Sequence, residues 1–130
     1  AHRKYDLIIP GGQLRNDSPC VFGDYVIENL KRFSEKENID KIIIEVDAVV
    51  NEEGYCGFMQ NNNFEASIFP AILDLTPPEN YYFMATAPRF EKVALFEVCE
   101  FSDINKIITN QLKKAIQSKF SEVSEKIIEI

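Results

Sequence analysis

The feature that most constrains the fold is the run Lys41-Ile-Ile-Ile-Glu-Val-Asp-Ala-Val-Val50, the densest β-branched stretch of the chain. Because successive side chains of an extended strand point to opposite faces, Glu45 and Asp47 share one face, and the other face is wholly apolar. β-branched residues favour strands, and a segment this apolar is typical of a strand buried inside a sheet. The run therefore predicts a central strand over residues 41–50.

The elements around this strand predict one domain of α/β or α+β class. The length of 130 residues suits a single domain, so residues 1–130 are expected to form one globular unit. A strand over residues 5–9, a helix from the N-cap Ser18 to Asn38 and the central strand form the pattern of a right-handed parallel crossover. The sheet is expected to be mixed, with about four strands and with helices packed against it.

The second half of the chain predicts a hairpin and a long C-terminal helix. Segment 64–75 fits either a helix that Pro70 interrupts or a short strand, and both remain open. Residues 81–86 and 90–101 are strand-like and are separated by a proline-bearing turn, which predicts an antiparallel hairpin. Apolar side chains recur at spacings of three and four from residue 104 to residue 127, which predicts a long helix. A break near residues 118–121, with residues 126–130 as a second helix or a short strand, remains open.

The net charge of −7 at pH 7 is concentrated in the middle of the chain. Residues 51–101 carry two basic and eight acidic side chains, so direct nucleic-acid binding is disfavoured and a basic protein partner is favoured. No segment approaches the roughly 20 apolar residues of a membrane span. The three cysteines are far apart and form neither a disulfide framework nor a zinc motif, so a cytoplasmic location is expected.

Four acidic residues near the end of the central strand are the first candidates for a site: Glu45, Asp47, Glu52 and Glu53. Ligands of α/β proteins gather outside the carboxyl ends of the strands, and hard cations prefer several carboxylate oxygens. A divalent cation is therefore one interpretation of these residues, although no calcium-loop motif is present. The sequence favours a solvated or partner-facing acidic surface, and no metal is predicted.

The sequence contains no catalytic constellation and no cofactor motif. His2 is the only histidine, so a histidine-activated nucleophile and a histidine-bound metal are close to excluded. Ile9-Pro10-Gly11-Gly12 resembles strand ends of the class I amidotransferase-like proteins, but the resemblance covers four residues and no nucleophile cysteine follows at a suitable place. The turn also lacks a phosphate-loop motif, so a plain turn is the better interpretation. The chain is predicted not to be an enzyme and to need no cofactor.

The loop over residues 51–63 combines acidic, aromatic, methionine and amide side chains. A merely solvated loop is one interpretation of this segment. However, aromatic and methionine side chains within a polar rim are typical of protein-binding surfaces. Loops of this length are also often functional. The surface predicted to bind a partner consists of Glu45, Asp47, Glu52, Glu53, Tyr55, Phe58, Met59, Asn61 and Asn62.

Three classes of function remain open from the sequence. The favoured hypothesis is a small acidic inhibitor without catalytic residues, such as a cytoplasmic immunity protein or antitoxin that masks a basic, nuclease-like toxin. The first alternative is an oligomeric structural or regulatory subunit. The second is a small enzyme, or a binder of a metal or small ligand, that uses the acidic residues at the end of the central strand together with the Gly11–Gly12 turn. The sequence does not predict the oligomeric state.

Overall fold

The computed structural model describes the backbone of residues 4–130 and the side chains of all of these except Arg15, Ser18 and Pro19. The strands are β1 (Gln13–Arg15), β2 (Ser18–Phe22), β3 (Ile42–Glu45), β4 (Ala48–Glu52), β5 (Tyr55–Gln60), β6 (Tyr81–Met84), β7 (Phe96–Glu100), β8 (Lys106–Thr109) and β9 (Ile127–Glu129). The helices are α1 (Asp24–Lys36), α2 (Asn63–Ile72) and α3 (Lys114–Lys119), with 3-10 turns at Pro78–Asn80, Ala87–Glu91, Phe101–Asp103 and Ser121–Lys126. These elements confirm the predicted α/β or α+β class.

The strands form three sheets. β1 and β2 form an antiparallel pair. β3, β6, β8 and β9 lie side by side in this order, and all four are parallel. β4, β5 and β7 form an antiparallel sheet. Parallel neighbours need a crossover connection, and the crossover from β3 to β6 carries the whole β4–β5 hairpin and α2.

The central apolar run is two strands rather than the single strand that the sequence predicts. β3 belongs to the parallel sheet and β4 to the antiparallel sheet. The chain changes sheets between Val46 and Asp47: the Val46 N–H donates to the Met84 carbonyl of β6 at 3.0 Å, whereas the Asp47 N–H donates to the Met59 carbonyl of β5 at 3.1 Å. β4 buries Val49 and Val50, and β3 packs the partly buried Ile42 and Ile44 against the core, so local composition does not distinguish one long strand from two.

The parallel sheet has one buried face and one open face. The register of its strands places Ile44, Phe83 and Ile107 together, and Phe83 and Ile107 are fully buried. On the opposite face, Ile43 and Met84 are 60% and 43% exposed. Parallel sheets are ordinarily covered on both faces. Among the residues described, only the face that carries Ile44, Phe83 and Ile107 is covered.

Aromatic side chains join the parallel sheet to the rest of the core. Phe58 of β5 contacts Phe83 of β6 with ring centroids 4.5 Å apart, and Phe69 of α2 packs edge-on against Tyr81 of β6 at 5.1 Å. All four residues are buried. Burying a side chain such as phenylalanine stabilises the fold by about 1.5–3 kcal/mol. These contacts therefore fix the antiparallel sheet and α2 against one face of the parallel sheet.

The segment that fits either a helix or a strand is a helix, α2. It begins after Asn62, whose side-chain oxygen accepts a hydrogen bond from the Glu65 N–H at 3.1 Å and so caps the helix. Pro70 lies inside the helix, which ends two residues later at Ile72. Proline removes a helical hydrogen bond, but Phe69 and Ile72 are buried in the core, and this packing maintains the helix through the proline.

The N-terminal third differs from the prediction in two ways. Residues 18–22, expected as the first turns of a helix, form β2, and α1 begins only at Asp24. Gly23 separates the two elements with a φ of +111°, a conformation that favours glycine. Residues 5–9, predicted as a strand, pair with no strand in the described part of the chain, so the predicted parallel crossover into β3 is absent there.

The predicted hairpin and the continuous C-terminal helix are wrong, whereas the alternative of a break near residues 118–121 followed by a short strand is confirmed by the end of α3 and by β9. β6 and β7 lie in different sheets, and the 3-10 turn at Ala87–Glu91 lies on the connection between them. The region from 104 to 127 forms β8, α3, a 3-10 turn and the start of β9. Ile107 and Ile127 pair in the parallel sheet, and Ile107 is fully buried. Short strands and turns gave the same spacing of apolar residues as one helix, and tertiary packing decided between them.

Candidate functional site

A pocket of about 360 Å³ opens where the four parallel strands end. Its lining stands at or just beyond the carboxyl ends of β3, β6, β8 and β9, and consists of Glu45, Met84, Ala85, Thr86, Ile108, Thr109, Asn110 and Ile130. Ligands of α/β sheets bind outside this edge of the strands. We call this site the carboxyl-edge pocket.

The wall of the carboxyl-edge pocket contains a buried hydroxyl without a partner. Thr109 is 3% exposed, and its hydroxyl makes no hydrogen bond to any residue described. The backbone carbonyl of Thr109 accepts from the Ile130 N–H at 2.8 Å, and the side-chain oxygen of Asn110 accepts from the Ala87 N–H at 2.6 Å. Leaving a buried polar group unpaired costs about 1–3 kcal/mol. The Thr109 hydroxyl is therefore an unsatisfied polar group in a residue that lines the pocket.

The turn between β3 and β4, which borders the carboxyl-edge pocket, is held by one buried amide side chain. Gln60, which is 3% exposed, donates from Nε2 to the Glu45 carbonyl at 2.7 Å and accepts at Oε1 from the Asp47 N–H at 3.1 Å. The Asp47 carboxylate accepts from the Asn61 N–H at 2.8 Å. Asn62, the next residue, caps α2. The turn beside the pocket is thus joined by hydrogen bonds to the segment that starts α2.

Arg89 supplies the positive charge beside this turn. Its Nη1 lies 2.9 Å from Oε1 of Glu45 and 3.8 Å from Oδ1 of Asp47, and it donates to the Val46 carbonyl at 2.6 Å. The Arg89 side chain is 27% exposed, whereas that of Glu45 is 73% exposed. Hydrogen bonds with an ionised donor are roughly twice as strong as neutral ones. Arg89 therefore holds Glu45 and Asp47 in place while leaving Glu45 accessible to a ligand.

Glu52 and Glu53 lie at the other end of the β4–β5 hairpin. Glu52 pairs in register with Tyr55 at the tip, about 16 Å along the strand from Asp47 at 3.3 Å per residue. Oε1 of Glu52 lies 3.7 Å from Nζ of Lys119, and both side chains are exposed. The four acidic residues therefore do not converge, and the divalent-cation interpretation is wrong. In the described part of the chain, no three histidine, cysteine, aspartate or glutamate residues are grouped to hold a metal ion.

Tyr55 is fixed at the hairpin tip by backbone carbonyls. Its hydroxyl lies 2.7 Å from the Phe58 carbonyl and 2.9 Å from the Cys99 carbonyl. Burial, followed by the nearby Cys99 and Glu97, raises the pKa of Tyr55 from 10.0 to about 12. The phenol therefore keeps its proton at neutral pH. Its hydrogen bonds connect β5 to β7.

The remaining predicted partner-binding residues have different surroundings. Phe58 is fully buried in the core and is not available to a partner. Met59 is half-buried, Asn61 is exposed, and Asn62 is committed to capping α2. The structure brings Glu45, Asp47, Asn61 and Asn62 together near the carboxyl-edge pocket and leaves the others along or at the tip of the hairpin. Their contact with a partner stays a prediction.

The sequence analysis missed most of the residues that form the candidate site. These residues are Gln60, Thr86, Arg89, Thr109 and Asn110. One signal was available: Thr86 and the pair Thr109–Asn110 are polar residues that end apolar, β-branched or aromatic runs. The signal at Thr109 and Asn110 is visible only if residues 106–109 are recognised as a strand. The sequence analysis interpreted them as part of a helix.

Two of the three cysteines, Cys56 and Cys99, give no support to thiol chemistry. Burial, followed by the charges of nearby acidic residues, raises the pKa of Cys56 and of Cys99 above the usual range. A thiolate is the reactive form of cysteine, so both thiols are unreactive at neutral pH. His2, the one histidine, lies outside the described residues. Over residues 4–130, no helix has the length and apolar character needed to cross a membrane.

Comparison with known proteins identifies the family. The family described as "DeoR C terminal sensor domain" matches residues 1–111 of the chain. No curated protein and no solved structure matches the chain. A sensor domain is a regulatory unit, which agrees with the prediction that the chain is not an enzyme. The hypothesis of an immunity protein or antitoxin that masks a basic toxin is wrong, because the family that matches is one of sensor domains. The acidic charge and the missing catalytic motifs, on which the hypothesis was based, are equally compatible with a sensor. The match covers most of the chain, so this protein belongs to the family of DeoR C terminal sensor domains.

Proposed function

We propose that the chain is the ligand-sensing domain of a transcriptional regulator and that it binds a small polyhydroxylated molecule, such as a sugar, in the carboxyl-edge pocket. The observation that carries this proposal is the buried, unpartnered hydroxyl of Thr109, a residue that lines the pocket. The position of the pocket at the carboxyl edge of a parallel sheet supports it. Membership of a sensor-domain family supports the regulatory role.

The lining groups complement hydroxyls on an apolar ring. The Glu45 carboxylate accepts hydrogen bonds, the Thr109 hydroxyl donates and accepts, and the Asn110 amide nitrogen donates. Met84 and Ile108 provide apolar contact for the C–H face of a sugar ring. A few polar groups on a mostly apolar lining are typical of small-molecule sites.

Occupancy is transmitted through the turn between β3 and β4. A ligand hydroxyl that bonds to Glu45 competes with Arg89, which Glu45 shares with Asp47. Asp47 bonds to the Asn61 N–H, and Gln60 bridges Glu45 and Asp47. A shift of this turn therefore changes the position of the first residues of α2. The proposal thus names both a binding site and the element that responds to it.

Thermal unfolding in the presence of defined sugars tests the proposal. The probes are D-ribose, D-glucose, D-ribose 5-phosphate and D-glucose 6-phosphate, each titrated from 0.1 to 20 mM. A ligand at ten times its Kd adds about 1.4 kcal/mol to the free energy of unfolding. We therefore expect a saturable rise in Tm of several degrees with at least one probe. Absence of saturable stabilisation by all four contradicts the proposal.

A matched pair of variants locates the binding. Thr109→Val keeps the shape of the side chain and removes the hydroxyl, so we expect binding to weaken about tenfold, the equivalent of one hydrogen bond. The same variant is expected to raise Tm without ligand, because it removes an unpaired buried group. Glu53→Gln, at the hairpin tip, serves as the control and is expected to leave binding unchanged. Equal binding by wild type and Thr109→Val would contradict the carboxyl-edge pocket as the binding site.

A further inference from the structure

The outer edge of β3 has unpaired backbone groups. The Val46 N–H donates to Met84 of β6, and because backbone groups of successive strand residues point to alternate sides, those of Ile43 and Glu45 point away from β6. The Glu45 carbonyl on this outer side accepts from Gln60. β3 pairs with β6 alone among the described strands, so the N–H and C=O of Ile43 and the N–H of Glu45 have no strand partner. Natural sheets normally cover or block such an edge.

An apolar groove runs along this edge. It encloses about 770 Å³ and is lined by residues of β2, α1, β3, β5 and α2 and of the segments beside them. Apolar residues that line its walls include Leu30, Phe33, Ile42, Ile44, Ile68 and Ile72. Lys41 lies at one end of the groove, and Glu45 and Asp47 lie at the other. A free strand edge beside an apolar groove is the arrangement to which an extended peptide adds as a further strand.

The chain also contains a segment of strand-like sequence that belongs to no sheet among the described residues. Tyr5, Leu7, Ile8 and Ile9 are 70%, 70%, 64% and 68% exposed, although their sequence predicts a strand. The segment is tethered at its C-terminal end, where the Asn29 side chain donates to the Pro10 carbonyl. Four large apolar side chains exposed in one segment exceed the scattered exposure that is normal for a protein surface. The segment therefore has the chemistry of a strand and no strand partner among the residues described.

We propose that Tyr5–Ile9 of a second copy of this chain adds to the outer edge of β3, and that the exchange is reciprocal in a dimer. The five residues span about 16 Å and β3 about 13 Å, at 3.3 Å per residue. Charge complementarity sets an antiparallel direction, because it places Lys4 of the incoming strand beside Glu45 and Asp47. The exchange pairs the open backbone groups of Ile43 and covers apolar side chains of both copies.

Multi-angle light scattering on the wild-type chain and on two double variants tests the dimer. We expect the wild type at 100 µM to have twice the mass of one chain, and Leu7→Glu with Ile8→Glu to have the mass of one. The matched control is Val93→Glu with Leu95→Glu, whose side chains are 70% and 75% exposed on another segment. The control is expected to remain a dimer. A wild type of single-chain mass, or loss of the dimer in both variants, overturns the proposal.

Amide hydrogen exchange locates the interface and detects other occupants of the groove. In the dimer, the Ile43 amide is expected to exchange at least tenfold more slowly than in the variant with Leu7→Glu and Ile8→Glu. Equal exchange in both, with the wild type dimeric, assigns the dimer to another surface and overturns the proposal. Slow exchange of Ile43 in a wild type of single-chain mass means that the segment folds into its own groove, which also overturns it. None of these results depends on ligand binding.

Discussion

Two pairs of acidic residues lie at opposite ends of the β4–β5 hairpin, and their surroundings differ. Glu45 and Asp47 stand at the carboxyl edge of the parallel sheet, where Arg89 and the buried Gln60 fix them. Glu52 and Glu53 are exposed at the tip, with Lys119 as the nearest cation for Glu52. The two pairs are alike in sequence and in charge. A carboxylate marks a site only when the fold surrounds it with groups that hold its position.

Removing the cation of the carboxyl edge should have the largest effect on stability. Arg89→Met keeps the apolar stem, leaves the Val46 carbonyl without its donor and removes the cation beside Glu45 and Asp47, so we expect a loss of about 2 kcal/mol in the free energy of unfolding. Because Arg89 is partly exposed, the loss stays below that of a fully buried ion pair. Urea denaturation measures it, with Lys92→Met as the exposed control. Equal stability of the two variants would mean that the network does not hold the turn.

Removing the buried amide should have the next largest effect. Gln60→Met leaves the Glu45 carbonyl without its donor, whereas the Asp47 N–H keeps its bond to Met59. One unpaired buried group costs about 1–2 kcal/mol. The control is Gln111→Met, at an exposed position, which is expected to change stability by less than about 0.5 kcal/mol. If the Gln60 variant is as stable as its control, contacts other than those of Gln60 hold the turn between β3 and β4.

At the hairpin tip, Tyr55 should contribute a pH-dependent effect. The pKa of Tyr55 is raised to about 12, so the folded chain holds the phenol proton more tightly than the unfolded chain, whose pKa is 10.0. This contribution is complete below pH 10 and is lost as the pH rises from 10 to 12. Tyr55→Phe is therefore expected to lower stability at pH 8 and to decline less steeply between pH 10 and pH 12. Tyr25→Phe, at an exposed site on α1, is the control; identical alkaline slopes for all three proteins would contradict the assignment.

The acids of the tip should have the smallest effect. Glu52→Gln breaks one exposed ion pair with Lys119, and Glu53→Gln breaks none that is seen in the described structure. Exposed pairs contribute about 0–1 kcal/mol, so both variants are expected to stay within about 0.5 kcal/mol of wild type in urea denaturation. A loss above 1 kcal/mol in either variant would erase the difference between the two ends of the hairpin.

The sequence carried the fold class but not the topology. The class followed from β-branched runs and amphipathic spacing, which are local properties. The switch between sheets at Val46–Asp47 and the insertion of β8 beside β6 depend on which strands meet across the core, as in the contact of Phe58 with Phe83. Such pairings are set by tertiary packing, and a single sequence does not reveal them.

The candidate site was predicted only in part, for the same reason. Glu45 and Asp47 were identified because they interrupt an apolar strand. Arg89 and Thr109 reach the same edge from segments distant in the chain, and each looks ordinary in its own surroundings. Glu52 and Glu53 were grouped with Glu45 and Asp47 because they are near in sequence, but strand β4 separates Glu52 from Asp47 by about 16 Å.

The most direct test of the central claim is to locate sugar binding by amide NMR, using the panel member that raises Tm most. We predict that the amides of Thr86, Thr109 and Asn110 shift saturably with the same Kd, that Asn61 at the start of α2 shifts with them, and that Glu52 and Glu53 do not move. Shifts confined to the hairpin tip, or spread without saturation over the surface, would contradict a ligand site at the carboxyl edge of the parallel sheet.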